Sequence, residues 1–161
     1  MGGGNAKDIK KIILIIGVTL VFLFILALGN SIVKIPWGAP TLTCEVNGEK
    51  FKAIKNEHMW SNTGNSNLGM MIEEAEEKLE GHQISGGSTL KLKLSSDKEL
   101  KDFTARQYVV DNNGVQSIIE VPLSDYSVTV AEKPGEYIYS FIAGWDDTHW
   151  VEYLAKIVIQ D

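Results

Sequence analysis

The chain has 161 residues, one cysteine, 15 basic and 21 acidic groups, and a net charge of −6. That length holds one domain and an appendage, and a single cysteine excludes an internal disulfide framework or a multi-cysteine metal site. The acidic balance excludes non-specific nucleic-acid binding, which needs phosphate-neutralising cations.

The first element lies between Lys11 and Lys34, where 22 consecutive residues carry no formal charge and 14 of the 17 residues at 12–28 are Ile, Leu, Val or Phe. Such residues favour insertion by roughly 0.3–0.6 kcal/mol each, so the run is worth on the order of −4 to −8 kcal/mol. As a helix it reaches ~33 Å, enough for a ~30 Å hydrocarbon core. The run therefore predicts a single transmembrane helix over residues 12–33. Lys7, Lys10 and Lys11 precede it, and Lys34 alone closely follows. The positive-inside bias then places residues 1–11 in the cytoplasm and the C-terminal part outside the cell. An uncleaved signal anchor is favoured because the apolar run exceeds the about 7–15 residues of a signal peptide. Ala27-Leu28-Gly29 offers the cleavage site of the alternative, a secreted product.

Residues 35–161 carry 11 basic and 20 acidic groups, a net charge of −9. Pro36 and Pro40 disfavour helix on either side of Trp37, so residues 34–40 read as an extended stem and 41–161 as the extracytoplasmic domain. Trp37, just past the apolar run, suits a membrane interface. Beyond the stem the period is mostly two. Leu42, Cys44 and Val46 alternate with polar residues, and Asn47-Gly48 supplies the positive φ angles of a tight hairpin. Leu90, Leu92 and Leu94 form one strand face, Val115, Ser117, Ile119 and Val121 a second, and Tyr126, Val128 and Val130 a third. The stretch 111–114 (Asp-Asn-Asn-Gly) and Pro134-Gly135 punctuate them as turns. Residues 71–79 break the pattern with helix-forming residues and helical spacing, predicting one short helix that ends near Gly81. Its glutamates, with no Asp-rich loop beside them, read as a solvated face and not as a calcium site. Seven or eight short strands with turns between them predict a mainly β, antiparallel sandwich.

The last hairpin carries its own register. Tyr137, Tyr139, Phe141, Ala143 and Trp145 share one parity, as do Val151, Tyr153, Ala155, Ile157 and Ile159. Pairing 145 with 151 keeps both faces inward, sets Phe141 against Ala155 and Ala143 against Tyr153, and leaves residues 146–150 as a five-residue loop.

Lys133-Pro134-Gly135-Glu136-Tyr137, followed by an alternating strand, resembles the tyrosine corner of immunoglobulin-like and fibronectin type III-like sandwiches. The resemblance implies an immunoglobulin-like fold in which the Tyr137 hydroxyl bonds the backbone of the preceding connection. Tyr139 stands where antibody-type domains carry a cysteine. Asn47-Gly48, Trp60 and Gly135-Glu136-Tyr137-Ile138-Tyr139 with Trp145 are also similar to features of small membrane-anchored exported proteins of Gram-positive bacteria. That likeness implies fold and location and brings no catalytic residue.

Among the candidate sites, Cys44 lies on an apolar strand face and reads as a buried, inert thiol. Trp60 and Trp145 read as core. His149 beside Asp146 and Asp147 has the donors of a zinc site, but Asp-Asp-Thr is turn chemistry, and an exposed His149 with no metal and no cofactor is expected. Trp150, in the same loop, reads as an interaction residue or a plug over the sandwich end. The loop Asp146, Asp147, His149 and Trp150 is thus the candidate contact, its acids favouring an envelope protein or ligand with a basic surface. The expected role is a non-enzymatic binding, sensing or accessory module of a bacterial cell envelope. An inhibitor or immunity-type protein acting on a secreted enzyme or peptide is the alternative. An envelope hydrolase comes third: it needs a presented serine with a histidine and a carboxylate nearby, and no Gly-x-Ser-x-Gly occurs.

Overall fold

The computed structural model describes residues 6–32, 34–61, 64–111 and 114–160, without the side chains of 6–10, 26–32, 110–111 and 114–116. The tail at 1–5 and Asn112-Asn113 of the expected turn lie outside the described residues. The chain divides into two compact units, Met1–Lys34 and Ile35–Asp161. The first contains the helix α1, Ala6–Ile32, of 27 residues. Among the described residues no helix is long and apolar enough to cross a membrane.

The second unit is mainly β. In chain order it contains β1 (Leu42–Val46), β2 (Glu49–Lys52), β3 (Ile54–Trp60), β4 (Asn65–Asn67), α2 (Ile72–Lys78), β5 (Gly81–Gln83), β6 (Thr89–Leu94), β7 (Asp102–Asp111), β8 (Gly114–Val121), β9 (Ser127–Thr129), β10 (Gly135–Asp146) and β11 (His149–Ile159). One sheet has the order β2-β1-β6-β9. The other runs β4-β3-β11-β10-β7-β8, with β5 added parallel to β11. All other pairings are antiparallel.

The β1–β2 hairpin turns at Asn47 and Gly48, with φ of 52° and 87°. These positive values match the strand twist, and glycine adopts them without a Cβ penalty. α2 occupies the expected segment. The described strands number eleven, not seven or eight, and β3, β4, β5 and β7 are the ones alternation does not reveal. β4 and β5 have three residues each. In β3, Lys55, Asn56, Glu57 and His58 follow one another and mask the period. Asn56 is nonetheless buried, because its side chain accepts from the Met70 N–H at 2.7 Å and donates to Glu152 Oε2 at 2.7 Å. In β7 the buried Gln107 accepts from the Tyr139 hydroxyl at 2.7 Å. Burying polar groups is tolerated when they are paired in this way.

The main core lies between the sheets. Leu42, Cys44, Val46, Leu90, Leu92, Val128 and Val130 meet Tyr139, Phe141, Val151, Tyr153 and Ile157 across it. A second cluster joins Ala75 of α2 to Tyr108, Ile138 and Leu154 on the opposite face of the larger sheet. β8 is the edge of that sheet, which extends past the narrower four-stranded one. Ile119, on the strand face shared with Ser117 and Val121, is 51% exposed on this edge.

The stem is a strap. Pro36 and Pro40 are buried, the Tyr153 hydroxyl donates to the Pro40 carbonyl at 2.9 Å, and the Lys55 ammonium donates to that of Ala39. Trp37 is exposed. At the start of β10 the buried Tyr137 donates its hydroxyl to the Lys133 carbonyl at 2.9 Å. Tyr137→Phe keeps the ring and loses one hydrogen bond, so a cost of about 0.5–1.5 kcal/mol is expected. Tyr137→Ala also opens a cavity and should cost about 3–5 kcal/mol. Thermal melts of the full chain in detergent separate the two, and equal negligible shifts would deny the hydroxyl and the ring any structural role.

Candidate functional site at the β10–β11 turn

The hairpin register differs from the expected one by two residues. Phe141 faces Tyr153, Ala143 faces Val151 and Gly144 faces Trp150, after which Asp146 faces His149. The inward faces are those read from parity, since a shift of two leaves them unchanged. From Gly144 to Asp146 β10 advances two residues while β11 advances one, so Trp145 is the extra residue of a β-bulge. The bulge absorbs the odd residue and lets Asp147-Thr148 close the hairpin alone. The five-residue loop is therefore corrected to two residues, and His149 and Trp150 belong to β11.

The bulge has a chemical consequence. Asp146 by simple alternation would share the outer face with Gly144. Displaced by one residue, it stands beside His149 instead. The ring nitrogen Nδ1 of His149 lies 2.8 Å and 2.9 Å from the two Asp146 carboxylate oxygens. Asp146 also accepts from the Thr148 N–H at 2.8 Å and the Thr148 hydroxyl at 3.0 Å. These bonds, the backbone one first, hold its carboxyl down to about 2 from the ordinary value. An ionised carboxylate only accepts, so in the neutral imidazole Nδ1 carries the proton and Nε2 is left as an acceptor. Nε2 faces the Ser61 hydroxyl at 2.9 Å.

His149 is 5% exposed, contrary to the exposed position expected for it. The pairing of His149 with Trp60 turns its ring toward the core, where it meets the edge of Trp60 at 5.2 Å, with Trp145 on the same indole at 5.3 Å. Trp60 and Trp145 are buried. Ser61, the residue after β3, is exposed, and its N–H donates to the Thr148 carbonyl at 3.2 Å. Sequence reasoning missed Ser61. It stands 88 residues from His149 with no motif around it, and only the β3–β11 pairing joins them.

The four expected contact residues separate. Asp146 and His149 join Ser61. Asp147 is exposed and accepts from Lys101 Nζ at 2.7 Å. Trp150 is half-buried on the outer face, flanked by Gly144 of β10 and Met59 of β3. Met59 is 40% exposed, and α2 packs over the other end of the same face. Cys44 is buried, and burial pushes its thiol up to about 12. Among the described residues no group of three His, Cys, Asp or Glu side chains could hold a metal ion. Compared with known protein families, curated proteins and solved structures, the chain matches none.

The depressed carboxyl makes acid stability a test of this turn. Asp146 has a lower pKa folded than unfolded, so its stabilisation is present above about pH 4 and is lost as pH falls toward about 2. Asp146→Asn should melt below wild type at about pH 6, and the gap should close by about pH 2. A gap independent of pH across that window would contradict the assignment.

Proposed function

We propose that the chain is a membrane-anchored, extracytoplasmic module of a bacterial envelope, built on an immunoglobulin-like sandwich and recognising a partner through the outer face around Trp150. The anchor reading rests on the 22 uncharged residues at 12–33 and the lysines before them, with α1 covering most of that run. The apolar side chains described in α1 are exposed on every side, as a helix solvated by lipid would have them. The immunoglobulin-like reading is supported by the Tyr137 hydroxyl bond to the Lys133 carbonyl where the penultimate strand begins.

The observation that carries the recognition surface is the row Met59, Trp150 and Gly144. A tryptophan held on a rigid strand with glycine on one side presents its ring at little entropic cost. The flanking Asp102, opposite Gly144, and the net −9 of residues 35–161 favour a protein partner with a basic rim. Association should then weaken as salt rises.

A C-terminal tag on intact cells should be digested by added protease while the full-length protein stays with the membrane fraction. A protected tag would refute the orientation, and a mature N-terminus at Asn30 in the medium would replace the anchor by a signal peptide. Trp150→Ala should leave the melting temperature nearly unchanged and weaken capture of envelope proteins by the full chain roughly thirtyfold, the loss of a hot-spot contact of about 2 kcal/mol. Undiminished capture would place the contact surface elsewhere.

A further inference from the structure

We propose that Ser61, His149 and Asp146 act as nucleophile, general base and positioning carboxylate, and that the chain hydrolyses carboxylic esters of small acyl groups at this exposed serine. The inference goes beyond the binding role and stands without the membrane anchor or the Trp150 surface. A Ser-His-Asp relay is recognised by geometry and roles, on any fold and in any chain order. Here the order is Ser, Asp, His, and both links are formed: 2.9 Å from Ser61 Oγ to His149 Nε2, and 2.8 Å from Nδ1 to Asp146. The serine and the carboxylate are open to solvent and the imidazole between them is covered. The Ser61 hydroxyl is at the surface, and the imidazole behind it is buried against Trp60.

Each member is also fixed. Thr148 holds the Asp146 carboxylate by its N–H and its hydroxyl, Asp146 sets the tautomer of His149, and the Ser61 N–H is tied to the Thr148 carbonyl. The Thr148 hydroxyl also lies 3.4 Å from Ser61 Oγ and 3.2 Å from His149 Nδ1, both longer than the links of the relay. A nucleophile and base within hydrogen-bond reach, with the base oriented by a third group, is the general signature of an activated serine. Ser61 is exposed, so an ester reaches its hydroxyl directly from solvent.

In the reaction Ser61 Oγ bonds to the ester carbonyl carbon and its proton passes to His149 Nε2. The tetrahedral adduct expels the alkoxide, which leaves as the alcohol with that proton. Water then attacks the acyl-serine, gives one proton to Nε2, and the carboxylic acid departs as Ser61 Oγ recovers the proton. The sum is ester plus water giving acid plus alcohol.

The experiment uses the full chain in detergent with a fluorophosphonate, which loses fluoride as phosphorus bonds to an activated serine, and with p-nitrophenyl acetate. The expected results are a single adduct mapped to Ser61, none in Ser61→Ala, and acetate release that disappears in the same variant. His149→Gln should slow labelling at least about a hundredfold, since general-base help is worth about 10²–10⁴. Should that variant fail to fold, Ser61→Cys provides the second measurement. Buried Cys44 stays silent, and the new thiol should react with iodoacetamide at least tenfold faster than free cysteine. No adduct at Ser61 in the wild type, or a Ser61→Cys thiol no faster than free cysteine, overturns the proposal. Loss of partner capture in Trp150→Ala with labelling intact separates failure of one function from failure of the other.

Discussion

Eleven of the twelve residues of β10 and all eleven of β11 are committed to one antiparallel pairing, and both hydrophobic clusters grow from its two faces. Odd positions from Tyr137 to Ala143 and from Val151 to Ile159 enter the core between the sheets, while Ile138 and Leu154 face α2. A period of two makes each face all-or-none: a slip of β11 by one residue would send Tyr153 and Ile157 out and bring Glu152 and Lys156 in. β7 adds to β10, and β3 and β5 to β11, so the larger sheet is built outward from this hairpin.

Polar residues in that sheet survive burial by pairing across strands. Glu152 of β11 accepts from the Ser140 hydroxyl at 2.6 Å and from Asn56 at 2.7 Å, and Asn56 in turn holds the Met70 N–H ahead of α2. This chain of bonds connects three strands to the segment that delivers the helix. Tyr139 does the same on the inner side, accepting from the Ala131 N–H at 2.8 Å and donating to Gln107. An unpaired member of either network would cost about 1–3 kcal/mol of desolvation, more than a typical paired bond contributes. The polar residues are therefore matched sets.

The turn end owes its chemistry to one irregularity. Without the bulge at Trp145, Asp146 and His149 would point to opposite faces of the sheet. With it, a carboxylate, an imidazole and the serine after β3 stand in line, and Trp150 remains on the outer side with Gly144 and Met59. α2 covers one half of that outer side and not the half around Trp150, which sets the proposed relay and the proposed recognition surface on opposite faces of one hairpin end.

Much of the fold is local in origin and was legible in the residues. Asn47-Gly48 dictates a hairpin through its backbone angles, the alternation of β6 and β10–β11 assigns inner faces, and the helix formers at 71–79 mark α2, which the packing of Ala75 on the larger sheet then holds. What stayed hidden depends on residues far apart in the chain. β3 and β7 carry polar runs that are strands only because Glu152 and Tyr139 satisfy them. The hairpin register could slide by two without disturbing any face, so parity alone could not choose it. Ser61 carries no motif at all. Its neighbour Trp60 pairs with His149 across the sheet, and the hydroxyl meets the imidazole only once β3 has docked on β11. Local sequence determines which way a side chain faces, whereas its partner is decided by strand pairing over long separations, where no single residue type specifies the match.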